Sequence, residues 1–370
     1  MITKNNMDMK QRIWKIGLLM FLFGLSVNQI FAQECKEFQF EDKGTYYFDV
    51  GYLIGIKAEN LQAAIKSFEA FRQADGVKVI NESDSTDEIG KKALASGDYK
   101  KAVESFSKAY ELTQSSAAAT NLGYCYQYGL GVNKNMQVAA KLYFIGAKKG
   151  EAVAQFNLAC LYISGEGVNK DLEQAAVWFE KSANQGNIKA QCRLGDCYCY
   201  GRGVRRNYTA AAQWYEKAAK QGDEEAQVNI AECYFDGAGV AQNYLEAVKW
   251  YVKAAYQGSS TAQYQLGYMY SEGLGVTQDY AEAIKWYRRA ADNGVADAIC
   301  CLANKYYNGQ GVTQDYGKAL ELYHKAADKG LYRAMYMISE CYTYGRGVKK
   351  DLNQANYWKQ KAKELESKSK

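Results

Sequence analysis

The apolar positions of this chain carry two superposed periods. Over short windows they recur every three or four residues, as on amphipathic helices. Over longer distances the whole pattern returns every 36 residues. Gly129, Gly165, Gly201, Gly237, Gly273, Gly309 and Gly345 mark the long period without an insertion. Each is followed two residues on by a second glycine and then valine, from Gly131-Val132 to Gly347-Val348. A repeat of this length signals an array of supersecondary units that bury their cores against one another. Positions are counted 1 to 36 from Ser115, the seventh copy beginning at Leu331, and each unit then resolves into two predicted helices. The first carries alanine at position 4 (Ala118 through Ala334), Leu or Ile at position 8 and tyrosine at position 12 (Tyr126 through Tyr342). Steps of four place these on one stripe. Glycine at position 15 predicts a left-handed C-terminal cap. Asp or Asn at position 21 predicts the N-cap of the second helix, and Asp171/Gln174, Asn243/Glu246, Asp279/Glu282 and Asp351/Gln354 come close to a capping box. The second helix buries alanine at position 25 and position 28, which is Trp178, Trp214, Trp250, Trp286 or Trp358 in five copies. Position 29 and alanine at position 33 complete its apolar face, and glycine at position 36 ends it in six copies.

The recurring pattern A-x-x-x-L-G/A-x-x-Y-x-x-G-x-G-V-x-x-D/N-Y/L-x-x-A-x-x-W-Y-x-K-A-A-x-x-G resembles the Sel-1-like repeat, a relative of the tetratricopeptide repeat. The resemblance covers residues 115–366, as seven repeats at 115–150, 151–186, 187–222, 223–258, 259–294, 295–330 and 331–366, with a tail at 367–370. It implies an all-α, right-handed superhelical solenoid of antiparallel helix hairpins with a scaffold or adaptor role. In the seventh copy Lys359, Lys363 and Glu366 replace the aromatic, the alanine and the final glycine. A solenoid needs a wet last face, so this copy reads as a cap. Residues 87–114 are similar to a tetratricopeptide hairpin, with Ala102, Phe106 and Ala109 as core. Residues 33–86 read as a helical region with a polar linker. Glu59 to Gln73 is amphipathic, Tyr46 to Ile56 suits either its partner helix or a strand, and Asn81 to Asp87 is the linker candidate.

The first 32 residues read as a targeting segment rather than fold. Lys4, Lys10, Arg12 and Lys15 precede an apolar run from Ile16 to Val27, shorter than the ~20 residues of a spanning helix. A cut after Ala32 predicts a periplasmic or secreted protein with no integral membrane span in the mature chain. The formal charge of +5 includes four basic residues and one acidic residue in that segment, so the mature chain stands at +2. Near-neutrality gives no case for nucleic acid. Proline is absent, where average usage of about 5% would give roughly eighteen, and this too favours helices.

Catalytic and metal chemistry find little material. His324 is the single histidine and reads as a solvated surface residue, which removes histidine-based triads and most zinc sites. The glycine pairs lie between helices and never continue to G-K-S/T, so they are turns rather than phosphate loops. Ser105-Phe106-Ser107-Lys108 matches the S-x-x-K pattern of penicillin-recognising enzymes without the S-D-N or K-T-G that accompany it. No cofactor, metal or catalytic residue is therefore expected. Cys125, Cys197, Cys233 and Cys341 share position 11. Equivalent positions in stacked hairpins lie about 8–10 Å apart, beyond the ~7 Å that a disulfide spans, so they read as buried thiols. Cys160, Cys192, Cys199 and Cys300 fall on another face, where both pairing and the free thiol stay open, and Cys35 and Cys301 carry no reading.

Function is then expected on the surface. The resemblance to the tetratricopeptide superhelix implies a concave face lined by first-helix positions 3, 6, 10, 13 and 14. Those positions supply Tyr124, Tyr128, Phe156, Asp196, Tyr200, Glu232, Phe235, Asp236, Tyr264, Tyr268, Glu272, Tyr307, Tyr336, Glu340 and Tyr344. Tyrosine with flanking charge suits a protein or peptide partner, although residues at positions 6 and 10 suit inter-repeat packing about equally well. The expectation is an exported, monomeric, non-catalytic scaffold. The alternative, by analogy with cysteine-rich relatives, is a cell-wall or β-lactam-related binding protein or hydrolase.

Overall fold

A computed structural model describes residues 38–42, 45–49, 53–57 and 76–368. The predicted targeting segment, the helix expected over Glu59 to Gln73, and Cys35 lie outside the described residues. The chain divides after Glu151 into two compact units.

The first unit opens with strands, not helices. β1 (Phe38–Asp42), β2 (Thr45–Asp49) and β3 (Leu53–Lys57) form an antiparallel meander in the order β1-β2-β3, with Asp42 opposite Thr45 and Asp49 opposite Leu53. The helical reading of 33–86 is thus corrected over this stretch. Thr45, Tyr46, Tyr47 and Phe48 are a run of β-branched and aromatic residue types, which favour a strand over a helix. The linker reading of Asn81 to Asp87 is also corrected, because these residues lie within α1 (Gly76–Ser96). Tertiary partners outweigh their local polarity: Thr86 and Asp87 are buried, and Asp87 accepts from Asn121 Nδ2 (3.1 Å) and pairs with Lys91 (2.8 Å). α2 (Tyr99–Thr113) packs against α1, its N-cap Asp98 accepting from the Lys101 N–H and its Ala102, Phe106 and Ala109 fully buried. α3 (Ser116–Tyr128) and α4 (Met136–Lys148) complete the unit with the first of the 36-residue hairpins.

The second unit is a stack of six such hairpins. They are α5 (Ala152–Ser164) with α6 (Leu172–Asn184), α7 (Ile188–Tyr200) with α8 (Tyr208–Lys220), α9 (Glu224–Asp236) with α10 (Tyr244–Tyr256), α11 (Ser260–Glu272) with α12 (Tyr280–Asp292), α13 (Ala296–Asn308) with α14 (Tyr316–Asp328), and α15 (Tyr332–Tyr344) with α16 (Leu352–Lys368). The predicted caps form. Asp171, Asn207, Asn243, Asp279, Asp315 and Asp351 each accept the backbone N–H three residues on, at 2.8–3.1 Å. Gly237 ends α9 in the left-handed conformation (φ 74°).

Position 29 holds the deepest aromatics: Phe179, Tyr251 and Tyr323 are fully buried, and Tyr215 and Tyr287 nearly so. Position-12 tyrosines are only half-buried. Glycine at position 9 lets the ring through, since a Cβ on Gly195 or Gly267 would meet the Tyr215 or Tyr287 ring at 2.5 Å. Trp178, Trp250 and Trp286 are buried at their edges, and a cation one turn on covers the ring, with Lys253 Nζ 3.7 Å from the centre of Trp250.

Within the second unit two features bind hairpins to their neighbours. Buried Gln191 accepts from Gln221 Nε2 (2.7 Å) and donates to the Ala183 carbonyl of the preceding repeat (3.2 Å); Gln227 and Gln263 repeat the arrangement. Each such bond contributes about 0.5–1.5 kcal/mol net. From Gly203 to Gly347 the second glycine of the pair brings its loop onto the backbone that opens the preceding second helix: a Cβ on Gly239 would lie 2.1 Å from the Tyr208 carbonyl oxygen. On α16 only Ala355 and Ala362 are buried, while Lys359 and Lys363 face water, as a terminal cap requires.

Candidate protein-binding surface

The predicted strip separates into side chains that the fold uses and side chains that it leaves open. Phe156 packs on Phe179 (ring centres 5.7 Å apart), and Tyr264 on Tyr287 (6.1 Å), both half-buried. Tyr336 donates its hydroxyl to Glu366 (3.0 Å), which ties α15 to α16. These position-6 residues are therefore inter-helix packing. Tyr307 is corrected outright: it is 8% exposed, lies against Tyr316 (5.1 Å) and Tyr323 (6.2 Å), and its hydroxyl accepts from Arg346. Asp196 is also engaged, taking the Tyr215 hydroxyl (2.8 Å) and Arg193 Nη1 (2.8 Å). Arg193 in turn forks onto Glu225 (2.9 and 2.6 Å). Glu225 and Asp196 neutralise that guanidinium within the protein itself.

The open members are Tyr124 and Tyr128 in the first unit, with ring centres 4.6 Å apart, and in the second unit Tyr200, Glu232, Asp236, Tyr268, Glu272, Glu340 and Tyr344. Arginines cover two of these rings, Arg202 over Tyr200 (4.9 Å) and Arg346 over Tyr344 (5.2 Å).

The middle of the second unit is different. Phe235 is half-buried, set edge-on to Tyr244 (5.2 Å) and tilted toward Tyr268 (6.4 Å). Gln242 Nε2 fixes the base of this group by donating to the Phe235 carbonyl (2.8 Å) and the Tyr244 hydroxyl (3.1 Å). Glu232 and Asp236 stand on the same helix as Phe235, three residues before it and one after, and both meet water. Glu232 is nevertheless crowded by protein atoms; that lost solvation, and then the charge of Asp236, raises its pKa. Beneath them the Tyr251 hydroxyl is fully buried with no hydrogen-bond partner among the described residues. Tyr244, at position 22, and Tyr251, at position 29, are site residues that the reading of first helices alone passes over. The recurrence of tyrosine at position 22 in Tyr208, Tyr244, Tyr280 and Tyr316 is the signal that points to them.

Chemistry outside the strip is sparse. His324 is not solvated as expected: it is half-buried edge-on to Trp358 (5.2 Å), and desolvation lowers its pKa. Ser105 of the S-x-x-K match is buried, at 9% exposure, in α2 beside the core residue Phe106. The nine described cysteines are free, and those at position 11 are buried. Burial pushes Cys125, Cys197 and Cys341 up to about 11 and Cys233 to about 12. Cys301, left without a reading by the sequence, lies beside Tyr264 and Tyr287, and burial raises its pKa. Position 11 of the sixth repeat is Lys305, buried and donating to Ser271 Oγ (2.7 Å) and Gln310 Oε1 (3.1 Å). Among the described residues no helix is long and apolar enough to cross a membrane, and no group of three His, Cys, Asp or Glu is placed to hold a metal ion.

The comparisons agree with this architecture. The Sel1 repeat family matches seven times, over 116–151, 152–187, 188–223, 224–259, 260–295, 296–331 and 333–367. A protective antigen of uropathogenic Escherichia coli, described as displaying an SLR fold, is 28% identical; the match covers 96% of this chain and 79% of that one, with a TM-score of 0.62. A Sel1 repeat protein from Oxalobacter formigenes is 32% identical over 66% of this chain and 99% of its own, with a TM-score of 0.61. No curated protein matches. The hairpin solenoid, its caps and its seven matched repeats make this chain a member of the Sel1 repeat family.

Proposed function

We propose that this chain is an exported, monomeric, non-catalytic scaffold that engages a protein partner through the first-helix strip of its repeats. The observation that carries the reading is the set of side chains that the fold does not use. Tyr268, 38% exposed, stands with Glu232 and Asp236 over the half-buried Phe235, beside Glu272, which accepts from Ser271 Oγ (3.0 Å) and otherwise meets water. Large amphipathic rings bordered by charge are what interface centres favour. The Sel1 fold supports a protein-binding role, and the basic and apolar stretches of the first 32 residues support export. The burial of Ser105 leaves the hydrolase alternative with no supporting observation.

A photo-cross-linking residue at Tyr268, compared with one at exposed Lys249 on a second helix, tests the binding reading in cells. A discrete adduct from Tyr268 alone supports it, whereas adducts from Lys249 alone place the partner elsewhere. N-terminal sequencing of the fractionated protein tests export, which requires Gln33 as the first residue.

A further inference from the structure

The position-22 tyrosines of the second unit form a series in which all but one hold a cation. Arg206 lies over Tyr208 (5.4 Å), Lys305 over Tyr280 (4.3 Å) and Arg346 beside Tyr316 (5.7 Å). Tyr244 has none among the described residues. The seat of Arg346 is the most complete. Its guanidinium also lies 5.2 Å from the ring centres of both Tyr307 and Tyr344, and it donates to the Tyr307 hydroxyl.

Stepping two repeats toward the N-terminus converts Tyr307, Tyr316, Tyr344 and Arg346 into Phe235, Tyr244, Glu272 and Leu274. Two of the rings persist, the third becomes a carboxylate, and the arginine becomes leucine. Tyr268, Glu232 and Asp236 border the same place. No ion pair among the described residues engages Glu232, Asp236 or Glu272, and Glu272 Oε1 accepts only the neutral Ser271 hydroxyl (3.0 Å). The nearby internal cation Lys305 is committed to Ser271, Gln310 and the Tyr280 ring.

The Tyr251 hydroxyl supplies a second, independent observation. At position 29, Tyr143, Tyr215 and Tyr323 donate to Gln127, Asp196 and Asn304, which occupy first-helix positions 13 or 10 of their own repeats. The same geometry directs the Tyr251 hydroxyl toward Phe235 and Glu232, where it is buried without a partner. A buried, unmatched hydroxyl under two carboxylates is a polar site built for something more than its own fold.

We propose, resting on the scaffold reading, that the Phe235–Tyr244–Tyr268 box with Glu232, Asp236 and Glu272 is the seat for an arginine side chain of the partner. Neighbouring repeats fill the corresponding seat from within; here the protein leaves it to the ligand. Arginine fits better than lysine because its planar guanidinium stacks on rings while its fork of donors meets carboxylates. It would also bring N–H donors to the Tyr251 oxygen.

The test titrates the purified full chain with acetyl-Gly-Arg-Gly-amide and with its citrulline counterpart, which keeps the shape and loses the charge, read by saturation-transfer NMR of the peptide. The arginine peptide should bind at least about tenfold more tightly. Glu232→Gln with Asp236→Asn should remove most of that difference. Leu274→Arg, which restores the internal cation, should abolish binding. Equal affinity for the two peptides, no saturable binding of the arginine peptide, or unchanged binding to folded Leu274→Arg overturns the proposal. Should Leu274→Arg unfold, the Glu232/Asp236 variant, altered only at exposed side chains, decides the question alone. A Tyr268 cross-link that persists when the arginine seat has failed these tests leaves the scaffold reading standing and removes only the arginine.

Discussion

Gly237 and Gly239 belong to the same G-x-G-V signature and both take positive φ, 74° and 78°, yet alanine at the two should cost very different amounts. An alanine at Gly237 would find its nearest neighbour at 3.2 Å, the Cβ of Gln242, which can yield slightly. Its cost is the left-handed backbone, about 1–2 kcal/mol. An alanine at Gly239 bears the same backbone cost and also places its Cβ 2.1 Å from the Tyr208 oxygen and 2.2 Å from the Tyr208 carbonyl carbon. Non-bonded carbon contacts settle at about 3.5–4.0 Å, so the loop must retreat by more than about 1 Å from backbone that cannot rotate away. Overpacking of this kind adds about 1–3 kcal/mol, giving about 2–5 kcal/mol in all. The strain falls at the junction of the third and fourth repeats, and a solenoid's stability is a sum of repeat and nearest-neighbour terms. Urea unfolding followed by far-UV circular dichroism should therefore show a modest midpoint shift for Gly237→Ala. Gly239→Ala should show a larger shift with a broadened or split transition. Equal costs, or a larger cost at Gly237, would refute the argument that the second glycine is a docking contact between repeats.

Trp250→Ala should destabilise the array by about 3–5 kcal/mol in the same assay, because it empties a buried aromatic site capped by Lys253; a loss under about 1 kcal/mol would show that its neighbours carry that face. Tyr215→Phe should cost about 1.5–3 kcal/mol through the lost bond to Asp196, whereas Tyr251→Phe, which removes an unpartnered hydroxyl, should be neutral or stabilising by about 1 kcal/mol. The reverse order would mean that the Tyr251 hydroxyl is satisfied after all. The position-11 thiols have folded pKa values of about 11–12 against about 8.5 when unfolded, so they favour the folded state least where only the unfolded chain ionises. Stability should be insensitive to these groups below about pH 8 and fall as pH rises from about 9 toward 11. Ellman reagent at pH 8 should react slowly with native protein and find at least these four thiols on unfolding; a rapid native reaction would place them on the surface.

The strip of candidate binding residues shows where reading the chain stops. Position 10 holds Asp196 in one repeat and Glu232 in the next, two acids with the same pattern and the same helix face. Asp196 is consumed by Arg193 and Tyr215, while Glu232 is left to solvent. The difference lies in whether an arginine stands at position 7 and in whether the position-29 hydroxyl closes a bond onto the acid, as Tyr215 does and Tyr251 does not, and neither is a property of position 10. Tyr307 illustrates the same thing, since it is buried by Arg346, a residue of the following repeat.

Periodicity by itself determined the seven hairpins, their glycine and Asp/Asn caps, the buried alanine and tryptophan faces, and the wet last helix. Each of these depends on backbone conformation and amphipathicity within about twenty residues, and local pattern records both. Only the tertiary structure decided that Asn81 to Asp87 is helical, that Tyr46 to Asp49 and Leu53 to Ile56 lie in strands, that glutamines at position 5 join successive repeats, and that the second glycine serves a neighbour's backbone. Those outcomes depend on which atoms face one another across a gap between elements, and a polar or small side chain carries no mark of its partner until the chain has folded around it.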